Sequence, residues 1–252
     1  MLRTRVIPVL LLKNGGLYKG KKFKNHKYVG DPINTVKIFN EKQVDEIVLL
    51  DIEASKNNTP INFQLIEEIS GEAFMPIAYG GGIKTLEDAK KIFGLGIEKI
   101  VLNTYAIKKP ELVKELVKNF GSQSVVFSLD VRPDFFNKMC LYIKSGTIKV
   151  KENIVEIALK MQEQGVGEII LNCMDLEGTG RGYNLRLIRK LTEILEIPLI
   201  AAGGAANINH MIEAKKSGAH GIAAGTMFVF QGSLKGVLIT YLNENELNYI
   251  NQ

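Results

Sequence analysis

The sequence predicts an α/β fold, a single (β/α)8 barrel of the TIM type spanning residues 1–252 and assembled from two duplicated half-barrels, about 1–122 and 123–252. Three observations predict it: eight short Val/Ile/Leu runs, longer segments of helical spacing between them, and an internal repeat. Lys99-Ile-Val-Leu-Asn-Thr104 returns 122 positions later as Gly221-Ile-Ala-Ala-Gly-Thr226. The same offset pairs Glu46-Ile-Val-Leu-Leu with Glu168-Ile-Ile-Leu-Asn and Gly81-Gly82 with Gly203-Gly204. One offset across three segments indicates duplication.

The eight runs are Val6–Leu11, Glu46–Leu50, Pro76–Ala78, Lys99–Leu102, Val125–Leu129, Glu168–Leu171, Pro198–Ala201 and Gly221–Ala224. Each is of strand length and nearly continuously apolar, the pattern of a parallel strand covered on both faces. The intervening segments carry apolar residues at three- and four-residue spacing. Leu112, Val113, Leu116, Val117 and Phe120 follow an N-terminal Pro110, and Ile154, Ile157, Ala158 and Met161 mark a later helix. Eight strand-helix units in two related halves favour a closed ring. An open doubly wound sheet is the alternative, and it is disfavoured because no strand-linked G-x-G-x-x-G opens a helix. Two stretches fall outside the alternation: a hairpin-like segment, Met139–Val150 around Ser145-Gly146, and a long first loop, Leu12–Asp31.

Length and composition agree with one such domain. The 252 residues are 46% hydrophobic and 23% charged, with no low-complexity linker. Only two cysteines occur, Cys140 and Cys173, and Met-Leu-Arg-Thr-Arg runs straight into the first strand, so a reduced, cytoplasmic protein without a signal segment is expected. No run reaches the roughly 18 apolar residues that span a bilayer. The net charge of +5 is concentrated in Lys19-Gly-Lys-Lys-Phe-Lys-Asn-His-Lys27. A basic segment of this kind is either a solvated loop or a steering element for an anionic small substrate. Nucleic acid is not expected, since no binding motif or stacking aromatic cluster accompanies it.

In a barrel of this kind the site lies at the carboxyl ends of the strands. Gly81 and Gly82 follow strand three, Asn103 and Thr104 strand four, Gly203 and Gly204 strand seven, and Gly225 and Thr226 strand eight. Glycines let backbone N–H groups approach phosphate oxygens, and Asn and Thr add donors. Two copies related by the repeat point to a substrate phosphorylated at both ends. Shifting the repeat to 119 aligns Val6–Leu11 with Val125–Asp130 and leaves Leu11 where the second half has a carboxylate.

These motifs resemble the cyclase subunit of imidazole glycerol phosphate synthase over essentially the whole chain. The resemblance runs from Arg5-Val-Ile-Pro through Lys13-Asn-Gly15, Lys19-Gly20, Asp51-Ile-Glu-Ala-Ser55, Gly80-Gly-Gly82, Asn103-Thr104, Phe120-Gly-Ser-Gln123 and Glu177-Gly-Thr179 to Gly203-Gly-Ala205. It implies a barrel that takes ammonia from a separate glutaminase subunit and adds it to a bis-phosphorylated aminoimidazole precursor. It implies Asp130 as one of two catalytic aspartates, with Leu11 in place of the other. Lys19, Asp51 and Thr179 join the phosphate elements as substrate-binding residues. Arg5, Glu46, Lys99 and Glu168 match a ring of alternating charge that gates ammonia at the amino-terminal mouth; a structural ion-pair layer is the plainer reading of such residues. Gly16 departs from the arginine usual in the family.

An aliphatic side chain moves no proton. The resemblance therefore points to a divergent paralogue, of the kind that serves formation of acetamidino groups on surface-polysaccharide sugars, with a glutaminase and a third, amidotransferase-like protein as partners. A histidine-pathway cyclase rescued by Asp51, Glu53, Asp175, Glu177 or Lys19 is the alternative, and a non-catalytic barrel scaffold is the third. The related isomerase of the same pathway needs two aspartates and no ammonia, so Leu11 and the charged ring both speak against it. The chain itself should hold no glutaminase: His26, His210 and His220 flank no nucleophile elbow, Cys140 reads as a hairpin residue and Cys173 as a small packing residue. No cofactor is expected, and no metal, because His, Cys and carboxylates lack ligand spacing.

Overall fold

In a computed structural model that describes residues 3–232 and 234–252, eight parallel strands close into a barrel. They are β1 (Arg5–Lys13), β4 (Ile47–Asp51), β5 (Ile77–Gly80), β6 (Lys99–Leu102), β7 (Val125–Pro133), β10 (Glu168–Cys173), β11 (Leu199–Ala202) and β12 (Gly221–Ala224). Each pairs with the next in this order, β12 pairs back to β1, and the contact between β7 and β10 leaves no gap in the ring. The predicted strands lie on the observed ones within three residues at every end except the carboxyl end of β7, which runs on to Pro133.

Helices cover the outside. α1 (Pro32–Glu41), α3 (Phe63–Glu72), α4 (Leu86–Gly94), α6 (Pro110–Phe120), α7 (Ile154–Glu163), α8 (Leu185–Thr192) and α9 (Ile208–Lys216) bury one apolar stripe each against the sheet. Their starts repeat the offset of the sequence. Asp31, Asn62 and Thr85 cap α1, α3 and α4 by accepting a backbone N–H, and Asn153, Asn184 and Asn207, each 122 positions later, cap α7, α8 and α9 in the same way.

The interior is a second, separate core. Every barrel strand contributes to it, through Ile7, Val48, Ala78, Val101, Val126, Ile170, Ile200, Ala202 and Ala223. Side chains on one face of a strand recur every second residue. Stepping down by two from Ile7, Val48, Val101 and Ile170 therefore reaches Arg5, Glu46, Lys99 and Glu168, and stepping up by two reaches Val9, Leu50, Asn103 and Asn172.

The long first loop is corrected by the structure. β2 (Gly16–Lys21) pairs antiparallel with the end of β1, and β3 (Lys24–Gly30) pairs with β2. The counterpart after β7 is the expected hairpin, β8 (Met139–Ile143) and β9 (Ile148–Lys149). The lysine-rich first segment hides its strands because it stands above the barrel mouth and covers little core, so it lacks the apolar alternation that marks a strand.

Candidate functional site

At the amino-terminal end the four charged residues form one closed circuit. The Arg5 guanidinium reaches Glu46 with one nitrogen and Glu168 with the other, and Lys99 Nζ lies 3.1 Å from both carboxylates in turn. Both glutamates are buried. Burial alone lowers the Arg5 pKa, but Glu168 and Glu46 outweigh it together, and the net shift is upward. Above this circuit an apolar cluster fills the interior, and on β7 the first polar side chain is Ser128, which pairs with Ile170.

A single cavity fills the carboxyl-terminal mouth. Lys19, Asp51, Gly81, Asn103, Thr104, Asp130, Gly203 and Gly225 all line it. Gly82, Thr179, Gly204 and Thr226 stand outside that lining. The glycines are there for their backbone. Gly81 has φ +124°, and a Cβ on it would meet Asp51 O at 2.6 Å; Gly203 has φ +88°, and a Cβ on it would meet Cys173 O at 2.6 Å.

The two ends of the cavity differ in how far their polar groups are already engaged. Asn103 donates its amide to Ser128 O and Tyr142 O, and the Thr104 hydroxyl accepts from Lys144 N at 3.0 Å. The Thr226 hydroxyl, in contrast, is buried and has no hydrogen-bond partner among the described residues. Lys19 is buried, crosses over Gly225 and ion-pairs with Glu177. Thr179 uses its hydroxyl to close its own turn on Leu176 O.

Asp130 lies in the cavity wall with Oδ1 accepting from Ser128 Oγ and Asn172 Nδ2, both at 3.0 Å. Burial raises its pKa to about 6, against the pull of those two hydrogen bonds. β1 pairs Leu11 with Leu50, as β7 and β10 pair Asp130 with Asn172. Leu11 thus occupies the register of Asp130, and Leu50 that of Asn172. Asp51 Oδ1 accepts from the N–H groups of Glu53 and Ala54, so one of its oxygens holds a turn.

Sequence reasoning missed Ser128, Asn172 and His26, all of which line the cavity. The first two were within reach of the repeat, since they oppose Val9 and Leu50 at the offsets that relate the strands. Cys173 is buried, and that burial pushes its thiol up to about 12, with Asp175 adding to the shift, so it stays protonated. Cys140 sits in the hairpin beside Asp134 and Lys138 O. Among the described residues no three His, Cys, Asp or Glu side chains gather as a metal site, and no helix is long and apolar enough to cross a membrane.

The sequence model of the histidine biosynthesis protein family matches residues 5–235. A Pseudomonas aeruginosa protein, provisionally named imidazole glycerol phosphate synthase subunit hisF2, is 48% identical over 249 residues, 98% of this chain and 99% of its own. A Vibrio vulnificus protein, provisionally named subunit hisF3 of the same synthase, is 43% identical over 248 residues, 98% of this chain and 95% of its own. The imidazole glycerol phosphate synthase subunit HisF of Oceanobacillus iheyensis is 36% identical over 248 residues, 98% of each chain. With a closed barrel, a charged circuit at one mouth and a glycine-lined cavity at the other, the chain belongs to the histidine biosynthesis protein family and, within it, to the HisF type.

Proposed function

We propose that this barrel receives ammonia from a glutaminase at its amino-terminal mouth and supports its incorporation into a phosphorylated or sugar acceptor, in the formation of acetamidino groups on surface-polysaccharide sugars. One observation carries the reading. The charged circuit is closed, Gly81, Asn103, Thr104, Gly203 and Gly225 line the cavity, and Leu11 takes in the first half the register that Asp130 holds in the second. An apolar interior between the two mouths supports passage of neutral ammonia and resists ammonium, which would have to leave its hydration shell. Gly81, Gly82, Asn103 and Thr104 on one side and Gly203, Gly204, Gly225 and Thr226 on the other are the proposed phosphate grips. Lys19 and Asp51 flank them, Thr179 supports the loop behind, and Asp130 is the catalytic acid or base. A third, amidotransferase-like protein completes the assembly.

The histidine-pathway cyclase is the second reading, and the family favours it. It needs Asp51 or Lys19 to take the place of Leu11. Asp51 has one oxygen committed to two backbone N–H groups, and Lys19 is held by Glu177.

The test is reconstitution with a HisH-type glutaminase. Lys99→Ala is expected to leave the complex assembled while glutamate accumulates without amidated product. The measured quantity is the ratio of glutamate released to product formed. A ratio equal to that of the wild type would reduce the circuit to a structural ion-pair layer.

A further inference from the structure

The hairpin over the cavity is irregular where it reaches the mouth. β3 pairs Lys27 with Lys19 and Lys24 with Lys21, so Gly20 alone opposes two residues, Asn25 and His26. This is a β-bulge, and Asn25 takes φ +51° to make it. Bulges redirect the side chain beside them and recur next to functional sites. Here the redirected side chain is His26, which stands in the cavity wall. A Cβ on Gly20 would come within 2.8 Å of the imidazole Cδ2 and 3.0 Å of Nε2, so the ring holds its place only because residue 20 is glycine.

Three of the neighbouring ionic groups, Lys13, Lys19 and Asp51, are engaged elsewhere. Lys19 pairs with Glu177, Lys13 lies 3.5 Å from Glu53, and Asp51 caps its turn. His26 has neither an ion-pair partner nor a hydrogen bond among the described residues. The first-half wall below it, Val9, Leu11 and Leu50, offers no group that could take up a proton.

We propose that His26 is a proton acceptor on the first-half side of this cavity, where Leu11 takes the register of Asp130, facing an electrophilic carbonyl carbon of the bound acceptor as ammonia adds to it; the proposal rests on the ammonia-accepting reading of the cavity. The nitrogen lone pair forms the N–C bond and the carbonyl π pair moves onto oxygen. The surplus proton on nitrogen passes to the imidazole, which returns it to that oxygen and ends neutral. An imidazole serves here only if it is unprotonated at neutral pH. Partial burial, and then Lys13, Lys19 and Lys56, hold its pKa below the ordinary histidine value, with Glu53 opposing them.

The experiment uses the full-length barrel in excess over the bis-phosphorylated aminoimidazole precursor, with ammonium chloride, and follows slow product formation by mass spectrometry. His26→Asn is expected to lower the wild-type rate by about 10²-fold, within the range that positioned proton transfer contributes. The precursor Kd should stay within about twofold, because a proton acceptor acts on the rate and not on uniform binding. Wild type should lose rate as pH falls through the depressed His26 pKa, and His26→Asn and His26→Gln should lose that limb, with partial rescue by free imidazole. A rate unchanged in both variants would overturn the proposal. So would a wild type that binds the precursor but gives no rate above the uncatalysed reaction. Failure of wild type to bind the precursor would overturn instead the reading of the cavity, and the proposal with it.

Discussion

At the carboxyl end of the barrel, Val9, Leu11 and Leu50 occupy in the first four strands the register that Ser128, Asp130 and Asn172 occupy in the last four. One wall is apolar and the other holds a hydrogen-bonded carboxylate. The scaffolding around the two walls is alike. The same offset relates the helix caps, the positive-φ glycines Gly81 and Gly203, and the antiparallel hairpins that rise after β1 and β7. Both halves retain the backbone features, and only the second carries a carboxylate at the register that Leu11 and Asp130 share. Repetition of a fold therefore holds the backbone of both halves to one pattern and leaves the side chains of one wall free to differ from those of the other.

The largest expected effect comes from making the two walls equal. Wild type should cyclise the bis-phosphorylated aminoimidazole precursor far more slowly than the ordinary enzyme range of about 1–10 per second. Leu11→Asp should raise the rate by about 10²-fold or more, the lower end of what a positioned acid or base provides. Adding Leu50→Asn, which gives the new carboxylate the neighbour that Asn172 gives Asp130, should raise it again. Wild-type turnover within the ordinary range would break the comparison and promote the cyclase reading.

The next effect is on stability. The Asp130 pKa is raised to about 6, chiefly by burial. An acid whose folded pKa exceeds its unfolded value stabilises the protein fully below the unfolded value and loses that contribution as pH rises through the folded one. From about pH 3 to about pH 7 wild type should thus lose about 3 kcal/mol, the equivalent of two pKa units. Asp130→Asn should be more stable than wild type at pH 8 by an amount of that order and nearly equal to it at pH 4. Urea denaturation at the two values checks this. The same stability difference at both would mean that Asp130 is not the buried titrating group.

Much of this site was legible in the sequence, and the part that was not has a physical cause. The repeat pointed to the proposed grips and exposed Leu11 because an offset is a property of the chain. The four circuit residues were named through the family resemblance, with Glu46 and Glu168 also related by the repeat. Ser128 and Asn172 passed unnoticed, since a polar residue inside a strand reads as noise until register shows what it faces. His26 was out of reach: a one-residue bulge opposite Gly20 decides its direction, and neither composition nor periodicity encodes that. Lys19, expected among the substrate-binding residues, lines the cavity, but its burial against Glu177 could not be read from its place in a run of lysines.

The smallest effect separates the two grips. Thr104 and Thr226 are repeat mates with different surroundings. The Thr104 hydroxyl accepts from Lys144 N, so Thr104→Val strands that N–H and should cost about 1 kcal/mol. The Thr226 hydroxyl is buried without a partner among the described residues, so Thr226→Val removes a desolvated group and should be neutral or stabilising by about 1 kcal/mol in anion-free buffer. If a phosphate is the missing partner, inorganic phosphate should stabilise wild type more than Thr226→Val, since only the hydroxyl can donate to it. Thermal unfolding of both variants with and without phosphate reads both signs. Equal losses in Thr104→Val and Thr226→Val, with no dependence on phosphate, would mean that the second hydroxyl is satisfied within the fold. The two grips would then be turn glycines and not an anion site.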